Sequence, residues 1–472
     1  MSALGTIKVP ELQGLGAGRS SVRLPDLVSV PLTKRVLEVV DHPAFQRLRR
    51  VRQLGATYLV YPGATHTRFE HCLGVYGTTR LYVLSLLQHG EVRSLLTAED
   101  IRTVLMAGLL HDLGHTPFAH TLEAAHGRFE NLPRHEDLVE DLIFGRAGRW
   151  GGSPALAKVL ERAMNVDPDR VVALIRRKPE QLERPVDRLL QSIISSALDA
   201  DKMDYLWRDS VHLGVPYGRN YDRERLLNAL TVDESGEALA ISAKGRISAE
   251  VFLFCRYTMY SEVYWHHAVR SASAMIQRAW DDIITRTPPD ATDLTSRLLA
   301  VGDDEFLASL SAEAPPNSRA GHLLAGITGF RRRLYKCVGR WARPKHGLRE
   351  SSIYQRLVQL EREDVHRFER RLGALISPWG RKVGPADVLV DIPPQDKDRT
   401  PDICVVEKSS EGGRANYRML SEVSGVARGI SEDFLLGVKS VQLLVHPDHA
   451  ELLRERPAEL QDAVEQALEE IG

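Results

Sequence analysis

Three short segments hold the side chains with which this chain could do chemistry. They are HTRFEH ending at His71, HDLGH from His111 to His115, and DADKMDY from Asp199 to Tyr205. Together they supply His71, His111, Asp112 and Asp201: two imidazoles, two carboxylates and no thiolate. Nitrogen with anionic oxygen favours a six-coordinate Mn, Fe, Mg or Ni ion over a structural zinc. Four protein ligands in an octahedron leave positions for water and a phosphate oxygen, the layout for metal-assisted phosphoester hydrolysis. A lone histidine is ordinarily a satisfied core or surface group. The combination is what counts, because a buried ionised carboxylate needs a cation beside it.

The third segment offers more than a ligand. Asp201, Tyr205 and Asp209 recur at i, i+4, i+8 and so share one helix face, with Lys202 adjacent. An ammonium suits a phosphate, and a phenol and a carboxylate suit sugar hydroxyls. Downstream of the His-Asp pair lie His115, His120, Glu123 and the pair His135-Glu136. His120 and Glu123 are three apart, so the carboxylate could hold an imidazolium ready to act as a general acid.

These segments need helices to position them, and from Leu32 to about Ile376 the chain reads mainly as helices. AEDIRTVLMAGLLHDLGH begins acidic and runs apolar into the His-Asp pair, which places those ligands at the end of a buried helix. PVDRLLQSIISSALDADKMDYLWRDSVHLG reads as one long helix closed by Gly214. ISAEVFLFCRYTMYSEVYWHHAVRSASAMIQRAWDDIITR reads as another, with Ser248 as its N-cap. GRAGRWGGSP (145–154) reads as a loop, and TPPDATD and SAEAPPNS flank a short helical insertion. After about Ser377 the pattern changes to short strands in PADVLVDIP, DICVVEK, YRMLSEVS and VKSVQLLVHP, with helices around SEDFLLG and from Ala450. The expected organisation is a flexible leader (1–20), a mainly α phosphohydrolase body (21–375) and a smaller C-terminal α+β domain (376–472).

Composition narrows the classes. Of 472 residues, 43% are hydrophobic and 26% charged, as in an ordinary globular protein rather than a disordered one. A net charge of −1 provides no global basic field for nucleic acid or anionic membrane. The four cysteines form no CxxC pair, and no run reaches the roughly 20 apolar residues of a membrane span, so a reducing cytoplasmic setting is expected.

RVRQLGATYLVYPGATHTRFEHCLGV, GLLHDLGHTPFAH and LDADKMDYLWRDSVHLG resemble the HD-domain deoxynucleoside triphosphate triphosphohydrolases. The resemblance is closest to the branch holding the vertebrate SAM-and-HD-domain enzyme and its bacterial relatives. It covers about Leu32 to about residue 450, without the SAM module. It implies one divalent metal on His71, His111, Asp112 and Asp201, with a second Mg accompanying nucleotide phosphates as an open expectation. It further implies His120, supported by Glu123, as the acid for the 5′ oxygen, with His115 and His135 beside it. Arg68, Lys202 and Arg256 would hold the triphosphate. Gln53 and Asp209 would read the 3′-hydroxyl, Leu54 would exclude a 2′-hydroxyl, and Tyr205 and Tyr264 would pack along sugar and base. The implied products are deoxynucleoside and intact triphosphate.

The resemblance also implies a homo-oligomer, dimer or tetramer, and an effector site for GTP or a dNTP. Asp41, Gln46 and Arg49 match its guanine-reading positions, and Arg332 and Lys336 its basic contacts. There are departures: RLPDLVSVPL replaces the family's NDPIHGHIEL, Glu262 and His267 stand where cations are expected, and Trp265 replaces a glutamine. A lost cation and an added carboxylate weaken a triphosphate site, so weaker or different activation is expected. Two other readings stay open. One is another HD reaction, a nucleotide phosphodiesterase or 5′-nucleotidase; the other is nucleotide sensing or nucleic-acid binding through the basic clusters at 47–52 and 331–345.

Overall fold

A computed structural model describes residues 8–14, 20–25, 28–118, 121–122, 134–148, 152–176, 182, 184–286, 290–343, 352–393, 402–407, 414–434 and 438–471. The architecture is mainly α, with a smaller strand-containing C-terminal region. Two helices enclose the centre of the body: α1 (Arg68–Leu86), buried along most of its length, and α2 (Ala98–Leu110), which packs against it. A reciprocal capping box fixes the start of α2. Thr97 Oγ1 accepts from Asp100 N, and Asp100 Oδ2 accepts from Thr97 N. The far end of α2 is capped at His111.

The expected long helix at 185–214 is two helices, α3 (Pro185–Ile194) and α4 (Ala200–Leu213). Apolar periodicity runs through the junction, yet Asp199 adopts an extended conformation there. Its carboxylate accepts from Ser196 N at 2.9 Å and Lys202 N at 2.7 Å. A side chain that satisfies the orphan amides of a new first turn ends one helix and starts the next. Asp201 therefore lies in the first turn of α4, and Gly214, at φ 70°, closes the helix as expected.

The second long helix is also divided. α5 (Arg246–Met259) passes into a π-type turn at Tyr260–Tyr264, breaks at Trp265–His266 and resumes as α6 (His267–Arg286). Ser248 is buried inside α5, whose N-cap is Gly245. The insertion expected near 290–318 is a pair of helices, α7 (Ala291–Ala300) and α8 (Asp303–Glu313).

Part of the expected loose leader is packed. Val9 and Leu12 join the main core, and buried Glu11 accepts from Arg35 at 2.8 and 2.9 Å. Three sheets complete the fold. β1 (Ser20–Leu24) and β2 (Val28–Leu32) form a hairpin. β3 (Leu230–Val232), β4 (Leu239–Ser242), β7 (Cys404–Glu407) and β8 (Asn416–Met419) form the second sheet, in which Ile241 pairs with Val405 in parallel. The third has β9 (Ser440–Val445) between β5 (Lys336–Ala342) and β6 (Val388–Asp391), with every residue of β9 buried. Strands beyond residue 376 thus share sheets with strands before it. No helix among the described residues is long and apolar enough to cross a membrane.

Candidate functional site

α1, the end of α2 and the first turn of α4 converge on one group: His71, His111 and Asp201 present ligand atoms within 4.8 Å of one another. His71 Nε2 lies 3.1 Å from Asp201 Oδ1, and His111 Nε2 lies 3.6 Å from it. Asp112 adjoins them, its oxygens 3.4 Å from His111 Nε2 and 3.9 Å from His71 Nε2. His111 Nδ1 donates to Gly108 O at 2.9 Å, which leaves a lone pair on Nε2. That Nε2 is buried with no hydrogen-bond partner among the described residues. A buried imidazole lone pair facing two carboxylates fits a divalent cation, and the oxygen-and-nitrogen set suits a six-coordinate one.

The charges agree. Burial would raise the Asp112 carboxyl, but His111, Arg68 and His71 hold it well below the usual carboxylate range. Burial likewise opposes ionisation of Asp201, and His111 and His71 overcome it. Burial would also lower His71, but Asp201 and Asp204 push it up to about 10. The site is an anionic pocket that holds positive charge.

A second set of contacts gathers around Asp209, on the same helix as Asp201. Gln53 N donates to His66 O at 3.0 Å, and His66 Nε2 lies 2.8 Å from Asp209 Oδ1. The Tyr264 hydroxyl donates to Asp209 Oδ2 at 2.6 Å, and the Tyr264 ring meets that of Tyr205 edge-on at 6.2 Å. Arg256 lies 5.6 Å from the Tyr260 ring centre, and Tyr260 packs on Tyr264 at 5.0 Å. Burial, with Asp209 beside it, pushes the Tyr264 phenol well up, so it remains a donor. Arg256 Nε and Nη1, and Gln53 Oε1, are buried without hydrogen-bond partners among the described residues, whereas buried polar atoms ordinarily have one. Leu54 N-caps the short turn Gly55–Leu59.

Other expected residues have partners of their own. Arg68 donates to Asp112 Oδ2 at 2.6 Å, and Lys202 Nζ to Asp199 Oδ2 at 2.7 Å. The ring centres of His115 and His135 lie 3.9 Å apart, with the planes tilted by 34°. Gly114 permits this approach, since a Cβ there would lie 1.9 Å from His135 O. His120 and Glu123 lie outside the described residues. Of the effector candidates, Arg332 and Lys336 line a cleft of about 380 Å³ with Arg331, Arg333 and His267. Asp41, Gln46 and Arg49 do not line it; Arg49 Nε donates to Gln46 Oε1 at 2.7 Å and stacks on Phe69.

Sequence reasoning missed two groups that touch the site. Asp204 and Arg208 stand behind His71, although Asp204 lies only three residues past Asp201 on the same helix, a spacing that could have revealed it. His66 was also missed, despite opening the HTRFEH segment.

Comparison with known proteins matches this geometry. Residues 68–213 match the HD domain and residues 221–432 the HD associated region. The chain thus carries an HD domain followed by an HD associated region. Among its relatives is the uncharacterized protein MJ1154 of Methanocaldococcus jannaschii, 37% identical over 56% of this chain and 50% of the relative. Another is the deoxynucleoside triphosphate triphosphohydrolase SAMHD1 of Gallus gallus, 30% identical over 64% of this chain and 53% of the relative. The chain thus spans about half the length of these relatives. A phosphohydrolase structure from Bacteroides thetaiotaomicron, 22% identical, shares the fold with a TM-score of 0.64, over 90% of this chain and all of the other.

Proposed function

We propose that this protein is a metal-dependent phosphohydrolase that splits deoxynucleoside triphosphates into deoxynucleoside and inorganic triphosphate. What supports the reading is the His71–His111–Asp201 group together with the Asp209–Tyr264 contact, on the helix that carries Asp201, and the buried polar atoms of Gln53 and Arg256. A sugar hydroxyl would satisfy Gln53 and Asp209, and a phosphate oxygen would satisfy Arg256.

A divalent ion, Mn, Mg, Fe or Ni, on His71, His111, Asp112 and Asp201 would lower the pKa of a water and neutralise charge on the phosphoryl oxygens. Arg256, Lys202 and Arg68 bind and orient the triphosphate, with a second Mg travelling with its phosphates. Tyr205 and Tyr264 hold sugar and base, and Leu54 crowds a 2′-hydroxyl. His120, carried by Glu123, protonates the departing 5′ oxygen beside His115 and His135. The basic cleft at Arg332 and Lys336 is proposed to take a nucleotide effector, GTP or a dNTP. Asp41, Gln46 and Arg49 are proposed to contribute to effector binding in a cytoplasmic homo-oligomer.

The test is product analysis after incubation with each dNTP, singly and mixed, with and without GTP, in Mn²⁺ or Mg²⁺. Deoxynucleoside plus intact triphosphate, abolished by Asp201→Ala, supports the reading. Monophosphate products would indicate a different HD reaction. Metal binding without turnover, together with salt-sensitive single-strand binding, would indicate a nucleic-acid role.

A further inference from the structure

The first turn of α8 belongs to the helical insertion, far in sequence from every proposed ligand, yet it grips two segments of the site. Asp303 is 1% exposed. Its Oδ2 accepts from Arg52 N at 2.5 Å, and its Oδ1 accepts from Phe118 N at 3.0 Å. One amide precedes Gln53 and Leu54. The other ends the stretch that begins at His115 and continues toward His120. A carboxylate this buried is costly unless its oxygens are used, and here each oxygen serves a different segment.

The two segments also touch directly. Phe118 adopts φ 51° and Gly55 φ 48°, both left-handed, and a Cβ on Gly55 would lie 3.3 Å from Phe118 Cδ1. Phe306, on the same helix as Asp303, places its ring 6.0 Å from that of Phe118. Two outer pairs repeat the grip: Arg52 on Asp304 at 2.8 Å and Arg50 on Glu305 at 3.1 Å. Those acids are exposed and contribute little. The buried two-pronged contact is different, because an asparagine offers one acceptor where two amides need one each.

We infer that Asp303 is a positioning residue that sets the spacing between the Gln53–Leu54 turn and the His115–Phe118 segment. It acts through two backbone amides and touches no substrate. For nucleotide selectivity the inference rests on the proposed function, since Gln53 and Leu54 are there assigned to the sugar. A shift at Arg52 moves Gln53 relative to the metal group, and a misplacement of about 1 Å costs about 10²-fold in rate.

The experiment uses the full chain with Asp303→Asn and Asp303→Ala. It measures Mn²⁺ affinity, amide hydrogen exchange, and kcat and KM for a dNTP, the matching NTP and bis(p-nitrophenyl) phosphate. In both variants Mn²⁺ affinity stays within about twofold, while amides at 52–59 and 115–118 exchange faster and those of α1, α2 and α4 do not. For the dNTP, kcat falls about 30–100-fold with a smaller change in KM. The dNTP-to-NTP preference narrows, and the small diester, which has no sugar, loses less than about threefold. Unchanged exchange at 52–59 and 115–118 would overturn the inference, as would parallel loss of Mn²⁺ affinity and of protection in all helices. Wild-type turnover of the diester but of no nucleotide would instead refute the proposed function, and the exchange pattern alone would then decide the role of Asp303.

Discussion

His71 Nδ1 stands 2.9 Å from Asp204 Oδ2, and the Arg208 guanidinium closes on the same carboxylate at 2.8 and 2.7 Å. Arg208 is itself anchored by Glu70 at 2.7 Å, one residue before His71. The imidazole therefore has its tautomer and ring plane set from behind, with Nε2 directed at the metal group. Such partners commonly change metal affinity 10–100-fold when removed. Asp204→Asn is expected to weaken Mn²⁺ binding by about that factor, measured by titration calorimetry. Unchanged affinity would mean that His71 is oriented by packing alone.

Gly74 lies against this ion pair, and a Cβ there would sit 2.0 Å from Arg208 Nη2 and 2.1 Å from Asp204 Oδ1. Neither atom can retreat without breaking the pair. Gly74→Ala is expected to cost about 1–3 kcal/mol and to lower Mn²⁺ affinity with it. Denaturant unfolding monitored by circular dichroism checks the first effect, and calorimetry the second.

Arg256 is expected to act on substrate without acting on metal. Arg256→Gln should raise KM for a dNTP about 10–100-fold, the value of about 1.5–3 kcal/mol for hydrogen bonds to a charged group. Mn²⁺ affinity should not move. Initial-rate kinetics at saturating metal separate the two.

Acid stability should depend on Asp281, buried on α6, whose oxygens meet Arg362 at 2.7 Å and His366 at 3.1 Å. Burial favours its neutral form, but His366, Arg362 and Arg278 outweigh it and lower the carboxyl below its ordinary value. A carboxyl lowered in the folded state stabilises above its unfolded pKa of about 3.9, and that contribution fades as pH falls through the folded value. Asp281→Asn should therefore lower Tm near neutrality and flatten its decline below about pH 4. Thermal melts at pH 7 and at several acid values provide the comparison.

The sequence and structure differ where side chains act across distance. His71, His111 and Asp201 stand out in the sequence because imidazoles and acids are unusual on apolar helices, and the structure brings them together. The break at Ser195–Asp199 is hidden, since apolar spacing continues through it while one carboxylate caps the next helix. Tyr264 stands on a π-type turn that periodicity cannot register. Asp303 is invisible for another reason: its partners are backbone amides, and backbone leaves no mark on residue type.

The parallel pairing of Ile241 with Val405 has a consequence for how the chain comes into being. All three metal-facing segments leave the ribosome by residue 213, with α1, α2 and α4 able to meet. The edge of β4 must then wait until β7 emerges, and β5 must wait in turn for β9. Pairing across so long a loop is slow, and an open strand edge invites neighbours. A nascent chain stalled between these points would carry an assembled metal group beside an unpaired edge, the species most in need of a chaperone.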